Sequence, residues 1–220
     1  MNVNPEEGKR TVIEDMSASI KQVDGNVIWR VIKNPLDSLN LNADKDLVYG
    51  ILGIAASIIG FLLWVLLIGS KLKSIMMSSF GLGALFGLSD MFGSISSFGA
   101  MLFGKMILVA IVSSAALYAS LWLMSLWQGS QRQSIKAFIT HIGALQFIAG
   151  AGFVIAAILV ILPIQLSLFV LLITLITTLI LSITAAMELF QVAKERRSLY
   201  IVTSTASYFL IFMLLSSIFM

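Results

Sequence analysis

"GALFGLSDMFGSISSFG", residues Gly83 to Gly99, decides how many times this chain crosses a bilayer. The stretch is apolar enough to enter a membrane, yet it is rich in glycine and serine and carries one acid, Asp90. On either side lie apolar runs long enough to span, because a helix needs roughly 20 apolar residues to cross the hydrocarbon core. Five such runs stand out: 47–68, 106–127, 137–162, 165–188 and 199–220. If 74–103 were a sixth crossing, every later loop would change sides, and either the basic segment around Lys194, Arg196 and Arg197 or the N-terminal segment would lie outside.

Five crossings satisfy the positive-inside rule better. With the N-terminus in the cytoplasm, Lys9, Arg10, Lys21, Arg30, Lys33, Lys45, Arg132, Lys136, Lys194, Arg196 and Arg197 fall inside, and only Lys71, Lys73 and Lys105 fall outside. The C-terminus is then external. The expected fold class is all-α: a polytopic membrane bundle of five transmembrane helices, plus an external amphipathic or re-entrant segment over 74–103 and a cytoplasmic interfacial helix. In the 74–103 segment Leu85, Leu88, Phe92, Ile95, Phe98 and Leu102 recur at helical spacing, with Gly83, Gly87, Asp90, Ser94 and Ser97 on the other side. A glycine-rich connector packed on the bundle is the alternative reading.

Composition agrees with this class. Hydrophobic residues make up 59% of the 220, charged residues only 11%, and the mean hydropathy is +1.00, outside the range of a soluble domain. Residues 1–46 form a cytoplasmic N-terminal segment and 47–220 one membrane domain. Within the first, Val27, Ile28, Trp29, Val31 and Ile32 beside Arg30 and Lys33 suit a short helix in the interface, which Asn34-Pro35 ends. Tyr49, Trp64, Trp122, Trp127, Tyr200 and Tyr208 are expected as interfacial anchors, and Pro163 as the end of the third spanning helix. The net charge of +3 sits beside the apolar runs, so it reports topology and predicts no nucleic-acid partner. There is no cysteine, which excludes disulfides and thiolate chemistry.

Ionisable and polar groups inside a span are functional suspects, since even a modest scale charges about 2.5–3.5 kcal/mol for a charge at a helix centre. His141 stands about one turn into the third span, near the expected headgroups, where it is either a ligand or relay group or a cheaply placed interfacial histidine. Glu188 closes the fourth span, where an ion pair with Lys194 or Arg197 is expected. Asp90 is a lone carboxylate and makes neither a metal site nor an acid–base pair. Gln146 and the threonines of the fourth span, Thr177 among them, are candidates for interhelical hydrogen bonds or for a ligand groove. Gly83 and Gly87 form GxxxG, and Gly143, Ala149, Gly150 and Gly152 would admit a neighbouring helix closely. Asp90, His141, Gln146, Thr177, Glu188, Gly83 and Gly87 are thus the candidate ligand- or partner-facing residues. No phosphate-binding loop, HExxH, GxSxG or buried carboxylate pair occurs, so no catalytic residue, cofactor or metal is expected.

A cytoplasmic segment ending in an apolar, Trp-containing stretch and Asn34-Pro35-Leu36, followed by five spans and a short external C-terminus, resembles the YIP (Ypt/Rab-interacting protein) family over roughly residues 27–220. The short loops and Leu/Ile-rich style look like its bacterial branch. The resemblance implies a multi-pass protein of a bacterial plasma membrane, non-enzymatic, surrounded by lipid and bound to another membrane protein, such as an ABC-type exporter. Handling of a lipid or small solute is the alternative function.

Overall fold

The computed structural model describes the backbone of residues 23–79 and 89–219, and the side chains of those residues except 73, 76–79, 89–102 and 219. Among them the chain is helical, with no strand. In order, the helices are α1 (Gly25–Lys33), a 3₁₀ turn (Pro35–Asn40), α2 (Leu47–Ser79), α3 (Ser89–Gln128), α4 (Ile135–Leu159), α5 (Ile164–Leu189) and α6 (Arg197–Phe219). Five of these, α2 to α6, are long and apolar enough to cross a membrane, so this is an all-α membrane protein.

Local chemistry accounts for the helix ends. Asp24 caps α1 by accepting from the Asn26 N–H, and Pro35 opens the 3₁₀ turn, where its missing N–H costs nothing. Ser134 caps α4 by accepting from the Ala137 N–H at 3.1 Å. The end of α5 is a Schellman turn: Val192 N–H bonds to the Met187 carbonyl and Gln191 N–H to the Glu188 carbonyl. Gln191 sits there at φ 50°, a position glycine usually takes.

Two expectations are corrected. The first span does not stop at Ile68, because nothing between Ser70 and Ser79 breaks a helix, and α2 continues for 33 residues. Likewise α3 begins at Ser89 and runs 40 residues without proline, so 89–103 continues the second span rather than forming an element of its own. Of the segment expected over 74–103, only residues 80–88 lie outside the described residues. At 1.5 Å per residue, α2 and α3 are about 50 and 60 Å long and overshoot a core of about 30 Å on the same side. The second correction concerns Pro163: α4 ends at Leu159, and Pro163 is instead the cap residue of α5.

Packing divides the spans into a triad and a pair. Helix α4 packs against both α2 and α5, against α2 through glycines. A Cβ added to Gly50 would collide with the Ile139 carbonyl oxygen, one on Gly53 with that of Gly143, and one on Gly60 would lie 2.7 Å from that of Gly150. The helix backbones therefore touch, which is how helices gain packing energy where lipid offers no hydrophobic drive. α5 joins the triad through Ser167, which accepts from Trp64 Nε1 at 2.9 Å and donates to the Ala156 carbonyl at 2.7 Å.

The pair, α3 and α6, is held by polar rungs: Ser113 with Tyr208 at 2.8 Å, Ser125 with Tyr200 at 2.7 Å, and Gln128 donating to Thr203 at 2.8 Å. Pair and triad meet in one aromatic cluster, where Trp122, Phe138 and Phe190 make edge-to-face contacts around buried Leu121, Ile142 and Tyr200. Hence Tyr49, Trp64 and Tyr200, expected as anchors, are buried in the protein, whereas Trp127 is exposed. Their N–H or O–H groups found protein partners, the usual outcome for a buried Tyr or Trp. Tyr49 Oη accepts from the Asp24 N–H at 2.9 Å and so ties α1's cap to α2.

Candidate functional site

Between triad and pair lies a cleft of about 460 Å³ to which all five spanning helices contribute. Its size falls in the range of about 300–1,000 Å³ typical of small-molecule sites. The contributing residues sit near the middle of each span: Ser57 to Phe61 in Leu47–Leu72, Val109 to Leu117 in Phe103–Gln128, Gln146 to Phe153 in Ile135–Leu159, and Leu172 to Leu179 in Ile164–Leu189. Phe209 and Phe212 do the same on α6. The cleft is therefore at mid-membrane depth. Leu172, Ile176 and Phe209 line it and are also well exposed, so it opens sideways between α5 and α6, toward lipid.

The wall is apolar with a few polar groups, and none of the described residues that line it is charged. Ser57 donates to the Ile54 carbonyl, Ser114 to Ala110 and Thr178 to Thr174, each at 2.7–2.8 Å. Ser113 and Tyr208 satisfy one another. Gln146 differs. It is 5% exposed, and its Nε2 has no hydrogen-bond partner. The buried Tyr118 hydroxyl is close enough to interact with that amide, yet it too lacks a well-formed bond. A buried unpaired polar group costs about 1–3 kcal/mol, so this pair stands out against an otherwise satisfied wall.

Of the seven candidate ligand- or partner-facing residues, Gln146 is the one found among the cleft's lining residues. Thr177 is half-buried on α5 and lies off the cleft, which its neighbour Thr178 lines instead. His141, the seventh residue of α4, is buried, and its Nδ1 lies 2.8 Å from the Ser38 carbonyl oxygen, locking the 3₁₀ turn onto α4. Glu188 is exposed and forms no ion pair with Lys194 or Arg197. The Schellman turn directs the chain away after Phe190, and among the described residues the ion pair within 4 Å is Arg30 with Asp37. Asp90 falls in the first turn of α3, with its side chain outside the described residues, as are Gly83 and Gly87 altogether. Among the described residues no three metal-ligating side chains come together.

Sequence reading passed over Gly50, Gly53, Ser57 and Gly60, whose 3-4-3 spacing places small residues on one face of α2, the face that meets α4. That spacing was the available signal. No such signal marked Ser113, Ser114 and Tyr208, since their place in the cleft depends on how α3 and α6 stand against the triad. No protein-family model, curated protein or solved structure matches this chain.

Proposed function

We propose that this protein takes a lipid-like ligand from the bilayer into its mid-membrane cleft, as a non-enzymatic multi-pass membrane protein. The observation that carries this reading is the cleft itself: central in every span, apolar and open sideways. Native mass spectrometry of protein released from membranes in mild detergent tests it. Solitary protein carrying a non-covalent lipid adduct, removed by Ser114→Phe, supports the reading. Absence of any adduct from correctly folded protein refutes it.

A second reading has its own observation. In α6 only 6% of the apolar span is buried, and its Val202, Leu210, Met213 and Ile218 are exposed, so the face turned away from α3 is left for lipid or for another membrane protein. An accessory subunit bound to a transporter such as an ABC-type exporter would use that face, in keeping with the YIP-like layout. A stoichiometric transporter in the same preparation, lost on Leu210→Lys, is its signature. For orientation we favour a bacterial plasma membrane with the N-terminus cytoplasmic, on the strength of the eleven-to-three partition of Lys and Arg.

A further inference from the structure

We infer that the surface formed by the α3–α4 and α5–α6 connections binds the headgroup of an anionic phospholipid, at a site separate from the cleft. Two hydrogen bonds hold these connections side by side: the Gln131 N–H donates to the Phe190 carbonyl and Gln133 Nε2 to the Leu189 carbonyl, both at 3.1 Å. Arg132, Lys136, Lys194, Arg196 and Arg197 are thereby gathered at one end of the bundle, and all five are exposed. Glu188 and Glu195 are the acids beside them, and neither forms an ion pair with any of the five. Among the described residues none of these cationic side chains hydrogen-bonds to the protein.

Membrane topology asks only for cations at this end, not for their segregation within it. At the same end, where the Ser38 carbonyl meets His141, Arg30, Lys33 and Lys45 stand among Asp24, Asp37, Asp44 and Asp46. Arg30 approaches Asp37 at 3.9 Å and Lys33 Nζ lies 5.3 Å over the Trp29 ring. Three cations there face four acids, whereas the two connections hold five against two. Helix stability does not explain the excess. Lys136 and Arg197 lie in the first turns of α4 and α6, where the helix dipole disfavours a cation, and the last turns of α3 and α5 hold none. Apolar residues decide between a lipid and an acidic protein. Trp127 is 66% exposed, Leu199 and Val202 are exposed, and they flank the Ser125–Tyr200 and Gln128–Thr203 rungs between α3 and α6. A phosphate held by the cations therefore has hydrocarbon surface next to it for its acyl chains, with an aromatic ring of the kind that favours the headgroup boundary.

The test uses full-length protein in mild detergent, titrated with equimolar dioleoylphosphatidylglycerol and dioleoylphosphatidylcholine and read by native mass spectrometry. The chains are identical, so headgroup charge alone separates the two lipids. Phosphatidylglycerol should bind more than about tenfold tighter, since each cation beside an anionic headgroup is worth about fivefold. Arg132→Gln, Arg196→Gln and Arg197→Gln should each weaken phosphatidylglycerol about two- to fivefold and leave phosphatidylcholine unchanged. Arg30→Gln and Lys33→Gln should change neither. Phosphatidylglycerol bearing a diazirine on one chain should label peptides holding Trp127 or Leu199, and glycerol phosphate, which has no chains, should not compete. Equal binding of the two lipids overturns the inference and leaves the patch to an acidic protein surface. Equal losses from the two sets of variants overturn it as diffuse attraction, and competition by glycerol phosphate overturns it in favour of a soluble phosphate. Should a variant not fold, the lipid ratio and the mapped label on the unaltered protein decide.

Discussion

Replacing Gly143 by alanine tests whether backbone contact between α2 and α4 holds the triad together. The new Cβ would sit 2.6 Å from the Gly50 carbonyl oxygen and 2.9 Å from both Gly50 C and Gly50 Cα. All three are main-chain atoms of the opposing helix, so no side chain can rotate aside. To restore ordinary contact at 3.4 Å, the helices must separate by about 0.8 Å at the crossing, and the facing contacts of Gly53 with Gly143 open with it. Overpacking of this kind costs about 1–3 kcal/mol, with a clash against fixed backbone at the upper end, whereas alanine regains about 1 kcal/mol of helix propensity. Packing wins by about 2 kcal/mol. For a chain of this length that lowers Tm by about 4–8 °C. Thermal unfolding in mild detergent reads the difference, with Gly69→Ala as control, because Gly69 is exposed and has nothing within 4 Å of an added Cβ. Gly69→Ala should be neutral or slightly stabilising. Equal Tm for the two variants would refute the glycine-contact account.

Three further outcomes follow from the same geometry. Ser167→Ala strands the Trp64 indole N–H in the interior and should cost about 1–3 kcal/mol, while Trp64→Phe, which leaves Ser167 bonded to Ala156, should cost less; both are read by denaturant or thermal unfolding. Gln191→Gly relieves the left-handed backbone at the end of α5 and should raise stability by about 1 kcal/mol; a loss instead would mean that the Gln191 side chain contributes more than its backbone strain. Because the chain has no cysteine, a single introduced thiol is the only one present. An impermeant thiol reagent applied to intact cells should label Ile161→Cys, 75% exposed in the α4–α5 turn, and not Arg132→Cys in the α3–α4 turn. Labelling of Arg132→Cys alone would invert the orientation.

What could be read without coordinates was whatever depends on a residue and its near neighbours. Hydropathy over some 20 residues marks a span wherever it occurs, so five crossings and the approximate limits of α4, α5 and α6 were legible. Short-range chemistry likewise foretold the stop at Asn34-Pro35. The reach of α2 and α3 was misjudged because a helix that leaves the core needs no apolar residues to continue, only the absence of a breaker. The interior was illegible for a deeper reason. In water, apolar faces point inward and betray the core, but in lipid both the core and the outer surface are apolar, so leucines of one helix look alike whether they meet a neighbour or a lipid chain. Trp64 and Tyr49 therefore read as anchors although they are buried, and Gln146 read as one polar residue among several. Tertiary structure alone decided that α2 touches α4 through glycine, that α3 and α6 stand apart as a pair, and that the gap between the two groups falls at mid-membrane with Gln146 in its wall.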